Sequence, residues 1–145
     1  MNHSTNLIHK PRVAIVGAGF GGMHTAAALK HAAVEITLID TRNYFVFQPL
    51  LYQVASSALE PEEIAYSVRG WFQQQPNVTF KLARVMGVDW QTNALITATD
   101  ERIGFDYVVF AAGATTNDFG VPGVRELAFP LKKLDDALAL RIHII

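Results

Sequence analysis

Arg12-Val-Ala-Ile-Val-Gly-Ala-Gly-Phe-Gly-Gly22 decides the fold of this chain, and Asp40 completes its reading. Val13 to Val16 is a short apolar run that stops at a glycine, the pattern of a parallel strand buried on both faces. Gly17, Gly19 and Gly22 then form a G-x-G-x-x-G. From Phe20 to Ala33 the chain carries Met23, Leu29 and a run of alanines without proline, which favours helix. Gly17 permits the tight turn off the strand. Gly19 lets the backbone approach a pyrophosphate, and Gly22 lets the helix pack closely on the strand. The N–H groups and positive dipole end of that helix face the phosphates.

A second strand, Val34-Glu-Ile-Thr-Leu-Ile-Asp40, ends on an acid about 20 residues past the glycines, where a carboxylate can accept hydrogen bonds from both hydroxyls of an adenosine ribose. A lone G-x-G-x-x-G is weak evidence, and a glycine-rich turn without a ligand is its plain alternative. Here strand, helix, second strand and terminal acid stand in register, the context the motif requires. The expected architecture is α/β, an open and mainly parallel sheet. Val13–Val16 is central in it, Val34–Asp40 beside it, and Val78–Ala83 next.

Outward from that unit, Thr41 to Ala55 is aromatic and apolar but follows neither period, and Pro49 interrupts it. A long connection of this kind is either a buried loop or a functional wall, with Gln48 and the backbone near Pro49 facing a flat cofactor ring. Arg42 follows the acid, where it reaches a phosphate or is solvated. Glu60 to Gln75 reads as a helix with Pro61 in its first turn and Glu62 and Glu63 at the dipole's positive end. Ile64, Val68 and Trp71 form its core stripe. Val78–Ala83 alternates as a strand. Val85–Trp90 and Leu95–Thr99 read as a hairpin, and Arg102–Phe105 completes a small antiparallel β-meander. Asp106 to Gly113 returns as an apolar, buried parallel strand, and residues 115–123 are loop. Leu131, Leu134, Leu138, Arg141 or Ile142, and Ile145 recur at helical spacing in a final helix that stops on its apolar stripe without a cap. That ending predicts a truncated chain.

Composition narrows the function. The chain has 145 residues, half of them apolar, and a formal net charge of −1. That length suits one domain or part of a larger one. Nothing basic enough for nucleic acid is present. The longest apolar run falls short of the roughly 20 residues of a membrane span. The first residues lack the apolar block of a signal peptide, which predicts a cytoplasmic protein. There is no cysteine, hence no disulfide, thiolate metal site or cysteine nucleophile within these residues. Of the five histidines, His24 and His31 sit seven apart on the expected first helix, without a third ligand; no metal site is expected.

The Gly17–Gly22 motif, Asp40 and the returning strand ending Phe-Ala-Ala-Gly113 resemble the flavoproteins with two dinucleotide-binding domains. Ala112 stands where that class usually has threonine, a change that spares a backbone contact and removes a hydroxyl. Asn43-Tyr-Phe-Val-Phe-Gln-Pro-Leu-Leu-Tyr-Gln-Val-Ala55 and Leu131-Lys-Lys-Leu-Asp-Asp-Ala-Leu-Ala-Leu-Arg141 narrow the likeness to type II NADH dehydrogenases, the non-pumping NADH:quinone oxidoreductases. The resemblance implies a partial Rossmann-like FAD-binding domain. Residues 1–10 would be a flexible tail and 11–130 the N-terminal part of that domain. Residues 131–145 would begin a helix leading to an NADH-binding domain.

The resemblance also implies site residues. Gly17, Ala18, Gly19, Phe20, Gly21 and Gly22 would hold the pyrophosphate region of FAD. Asp40 would hold the ribose, with Thr41 and Arg42 flanking it. Gln48 and Pro49 would lie near the isoalloxazine, Val85 by the adenine, and Ala112 and Gly113 along the cofactor. Hydride would pass from NADH to flavin and on to quinone, with no catalytic side chain assigned, because the cofactor carries the chemistry. In full-length form the protein would be peripheral on the inner face of the cell membrane, through elements outside these residues. The fragment's exposed apolar stripe predicts self-association. Two other readings compete: a related flavoenzyme such as a sulfide:quinone reductase, and a non-catalytic module that holds a nucleotide or another protein.

Overall fold

The computed structural model describes residues 10–145. The expected tail at residues 1–10 lies, but for Lys10, outside the described residues. In chain order the chain forms β1 (Arg12–Val16), α1 (Phe20–Ala28), β2 (Glu35–Asp40) and β3 (Tyr44–Val46). A 3₁₀ turn at Gln48–Leu50 leads into α2 (Leu51–Ala55), and another at Pro61–Glu63 into β4 (Ala65–Ser67) and α3 (Val68–Trp71). Then come β5 (Val78–Leu82), β6 (Val85–Asp89), β7 (Ala94–Thr97), β8 (Arg102–Gly104) and β9 (Tyr107–Phe110). Two helices, α4 (Val124–Leu127) and α5 (Leu134–Ile144), follow.

The chain divides into two compact units. Of the described residues, the first comprises those up to 41 together with 72–112, the second residues 42–71 and 113–145. In the first, four parallel strands run in the order β5-β2-β1-β9, with β1 in the interior as its apolar run predicts. Alternation sorts the side chains of β1 and β2 between two faces. Ile15 faces α1, whose Met23 and Ala26 are buried. Ala14 and Ile39 face the opposite way and share a core with Leu95 and Phe105 of the meander. The meander is a separate antiparallel sheet of order β6-β7-β8. It packs on the parallel sheet through that shared core.

Several expectations fail for reasons visible in the packing. The first helix ends at Ala28 rather than Ala33. The Asn77 side chain donates to the carbonyl of Leu29 at 3.0 Å and so holds the chain in a turn there. His31 therefore lies outside the helix that carries His24. The returning strand β9 is not buried: among the described residues it has β1 on one side and no strand on the other, and Tyr107 is 64% exposed.

Thr41–Ala55 is not one loop and Glu60–Gln75 is not one helix. Tyr44–Val46 and Ala65–Ser67 pair antiparallel, so a stretch with helical spacing yields to a strand partner distant in sequence. Ile64 and Val68 of the expected stripe are fully buried, but Trp71 is 57% exposed and stacks edge-on against Tyr66. Of the acids expected at the dipole end, Glu63 caps the 3₁₀ turn at Pro61–Glu63: its carboxylate accepts from the Glu60 N–H at 2.7 Å. Between the loop expected at residues 115–123 and the last helix stands α4, a single turn in a stretch to which the sequence assigned no element.

The last helix packs on α2. Leu51, Val54, Ala55 and Ile64 bury Ala137, with Leu134 and Leu138 alongside. Ala137 was absent from the expected stripe, while Ile142, counted in it, is 79% exposed. Arg141 instead points to Glu60 and makes a paired contact at 3.1 and 3.2 Å.

Candidate nucleotide-binding site

Of the three motif glycines between the end of β1 and the first turn of α1, two have separate physical reasons to be glycine. Gly17 is buried with φ of +106°, a left-handed conformation that disfavours other residues. A Cβ there would run into the carbonyl of Ala111, whose carbon lies 2.6 Å away. A Cβ on Gly22 would overlap the carbonyl oxygen of Gly17 and approach Ile15 Cγ2 to 3.3 Å. Both positions are thus set by the protein's own atoms. Gly19 differs: its φ of −81° and ψ of −164° suit any residue, and a Cβ there meets nothing within 4 Å. Its absence of a side chain is not required by the fold.

Helix α1 opens at that exposed glycine. Gly19 is the N-cap and brings no side-chain cap, and no acid sits in the first turn. The positive end of the helix dipole therefore has no anion from its own helix, which suits a negatively charged ligand. The first intrahelical bond runs from the Met23 N–H to the Gly19 carbonyl at 3.0 Å. Thr25 donates to the Gly21 carbonyl at 2.7 Å and His24 Nδ1 lies 2.8 Å from the Phe20 carbonyl, so both side chains are occupied locally.

Asp40 closes β2 and is half-buried. Its Oδ2 accepts the backbone N–H of Ala18 at 2.7 Å. Thr41 Oγ1 lies 3.4 Å from Oδ1, at the long limit of a hydrogen bond. A carboxylate has roughly four lone-pair sites, so accepting from Ala18 does not by itself preclude accepting from a ribose. Sequence reasoning placed Asp40 correctly beside the glycines but missed this bond, because a backbone amide leaves no mark in the residue pattern.

The first unit therefore gathers Gly17, Ala18, Gly19, Gly22 and Asp40. It also brings the returning chain in: the Ala111 N–H donates to the Val16 carbonyl at 2.8 Å, and Ala112 follows. Val85 is half-buried at the start of β6 and packs on the Ala14–Leu95–Phe105 core.

Arg42, Gln48, Pro49 and Gly113 belong to the second unit. The Arg42 guanidinium sits over the Tyr44 ring at 5.9 Å. Gln48 Nε2 donates to the Lys132 carbonyl at 2.8 Å, so at least one of its polar groups ties the chain together just before α5. Pro49 is exposed in its 3₁₀ turn, and Gly113 has φ of +75°. This unit also holds a cavity of 590 Å³ that the sequence did not announce. Thr115, Asn117, Arg125, Phe129, Lys132 and Asp136 contribute to its lining, and none of the residues assigned from sequence does.

Among the described residues, no helix is long and apolar enough to cross a membrane. Curated relatives include a type II NADH:quinone oxidoreductase, NdhA, of Mycobacterium tuberculosis. It is 39% identical over 137 residues, covering 92% of this chain and 29% of the relative. A second type II enzyme of the same organism, Ndh, is 39% identical over 140 residues and is covered to 30%. The chain thus spans less than a third of the length of these two relatives. Among solved structures, the sulfide:quinone oxidoreductase of Aquifex aeolicus superposes with a TM-score of 0.85 at 27% identity. That match covers 92% of this chain and 31% of that one. NDH2 of Plasmodium falciparum superposes at 0.81 with 29% identity, covering 92% of this chain and 28% of that one. The family model for pyridine nucleotide-disulphide oxidoreductases matches residues 11–144, and the chain belongs to that family.

Proposed function

We propose that this chain is the FAD-holding portion of a type II NADH:quinone oxidoreductase. The observation that carries the reading is the pairing of Gly19 with Asp40. One is open space at an uncapped helix N-terminus, and the other is an acid on the adjacent strand end. The 39% identity to type II enzymes over nearly the whole chain supports the class.

On this reading, the backbone from Gly17 to Gly22 binds the pyrophosphate, with Ala18, Phe20 and Gly21 contributing main-chain atoms only. Asp40 orients the adenosine ribose, Thr41 flanks it, and Ala112 lies along the cofactor. Val85 borders the adenine. The roles implied for Arg42, Gln48, Pro49 and Gly113 stand as proposals on the resemblance alone. FAD, when bound, supplies the two-electron chemistry between NADH and quinone, and the protein's share is position and electrostatics. The complete protein works in the cytoplasm, peripheral to the inner face of the cell membrane. NADH, quinone and membrane contacts fall outside these residues.

A sulfide:quinone oxidoreductase is the second reading, and its TM-score of 0.85 favours it. Its 27% identity and the lack of any cysteine in the 145 residues weigh the other way. Adding NADH or sulfide to the flavin-loaded full-length protein distinguishes the two, by which donor bleaches the visible flavin absorbance.

The direct test is titration of ADP and FAD into the purified protein and its Gly19→Val variant. A valine side chain fills the space open at Gly19, so binding should be lost while the far-ultraviolet circular dichroism stays unchanged. Equal affinity in the variant would refute the site.

A further inference from the structure

We infer that Asp40 has a second duty: it latches the glycine turn into shape before any nucleotide arrives. This inference rests on the reading of the turn as a nucleotide site and adds a positioning role to a residue otherwise expected to touch only ribose. The observation is the 2.7 Å bond from the Ala18 N–H to Asp40 Oδ2, joining residues 22 apart in sequence. Ala18 is buried, and a buried amide must find an acceptor. The neighbouring turn amide, that of Gly17, donates to a backbone carbonyl, Ile39 at 2.7 Å. Ala18 alone of these two relies on a side chain.

At 2.7 Å the bond lies at the short end of the N–H···O range, as bonds to carboxylate oxygens do. Gly17 stands in a left-handed conformation directly before Ala18. Fixing the Ala18 amide therefore fixes the Gly17–Ala18 peptide, the link that leads out of that conformation toward the open position at Gly19. A turn held this way need not be ordered by the ligand, and the ordering cost is removed from binding. Asp40 then acts on the pyrophosphate end through Ala18 and on the ribose directly.

The two duties separate in a cycle of variant against ligand. The ligands are ADP and 2′,3′-dideoxy-ADP, which keeps the pyrophosphate and lacks both ribose hydroxyls. If Asp40 only binds ribose, Asp40→Ala leaves dideoxy-ADP affinity unchanged. With the latch, Asp40→Ala weakens dideoxy-ADP as well, by about fivefold, the effect of losing one net hydrogen bond. Equal dideoxy-ADP affinity in parent and Asp40→Ala overturns the latch.

A second measurement needs no ligand. Amide hydrogen exchange at Ala18 should speed at least about tenfold in ligand-free Asp40→Ala. Gly17 and Met23 amides, which donate to backbone carbonyls, serve as references. Unchanged protection at Ala18 also overturns the proposal. Should Asp40→Ala fail to fold, Asp40→Asn replaces it. Its carbonyl still accepts the bond but carries no charge, so the Ala18 amide proton should move upfield by NMR, and an unmoved resonance counts against the latch. A parent protein that binds neither nucleotide yet shows the exchange effect would sink the nucleotide reading and leave the latch standing.

Discussion

Gly22→Ala and Gly19→Ala make a pair that separates fold from ligand. Both add one methyl group three residues apart in the same turn. At Gly22 that methyl would overlap the Gly17 carbonyl oxygen and press on Ile15 Cγ2 at 3.3 Å. Neither can yield cheaply. The peptide that carries the Gly17 carbonyl is anchored by its N–H, that of Ala18, to Asp40 Oδ2 at 2.7 Å, and Ile15 is fully buried against the helix. Overpacking of this sort costs about 3 kcal/mol, the upper part of its usual range, because the clash is with backbone. Alanine within a helix gains about 1 kcal/mol over glycine. The net expectation is a loss of about 2 kcal/mol. At Gly19 the backbone is extended and the methyl meets no atom, so stability should change by no more than about 0.5 kcal/mol. Urea unfolding of the two purified variants, followed by circular dichroism, measures both. The reasoning fails if Gly22→Ala is as stable as the parent, or if Gly19→Ala loses as much as Gly22→Ala is expected to lose.

Other outcomes follow from single contacts. Gln75 is buried and donates to the Ala26 carbonyl at 2.8 Å, so Gln75→Leu should cost about 1–3 kcal/mol by urea unfolding, the penalty of an unsatisfied buried acceptor. Asp89 is held down to about 2, first by the Arg102 guanidinium and then by Thr92. A lowered carboxylate pKa stabilises above its unfolded value and loses that contribution as pH falls through the folded one. The stability gap between parent and Asp89→Asn should thus stay constant down to about pH 4 and close toward about pH 2. Arg141 and Glu60 are joined at two atoms, but Glu60 is largely exposed, so a double-mutant cycle by urea unfolding should find the two single losses additive. The protein should self-associate through its exposed C-terminal isoleucines. Sedimentation velocity on Ile142→Ser with Ile145→Ser should shift it toward monomer, and an unchanged profile would place the contact elsewhere.

The parts of the fold legible in the sequence are those whose cause is local. Val13–Val16 and Val34–Asp40 read as strands because burial on both faces demands apolar runs, and the glycines mark the turn between β1 and α1. The meander was legible from the alternation of Val85–Trp90 and Leu95–Thr99 and the short connection between them. What escaped depends on partners far along the chain. Ala65–Ser67 becomes strand because Tyr44–Val46 lies beside it, against a helical spacing in its own stretch. The end of α1 is set by Asn77, 48 residues beyond Leu29. The exposure of Tyr107 follows from its place at a sheet edge, which no alternation reveals.

The same distinction governs how much the glycine motif says about a ligand. Two of its three glycines are demanded by Ala111, Gly17 and Ile15, atoms of the protein itself. A chain making this strand–turn–helix needs them whether or not it binds anything. Ligand information rests on Gly19 and on Asp40, and Asp40 also serves the turn. The class within the family therefore has to come from elsewhere. It came from Asn43–Ala55 and Leu131–Arg141, two segments far apart in sequence. In the second unit they form one piece: Leu51, Val54 and Ala55 pack against Ala137, and Gln48 bonds to the Lys132 carbonyl. Each segment is half of a packing solution, because a bulkier residue at Ala137 would require α2 to give way. Their joint occurrence is accordingly worth more than two independent matches. It reports a helix pair that both segments must agree to build.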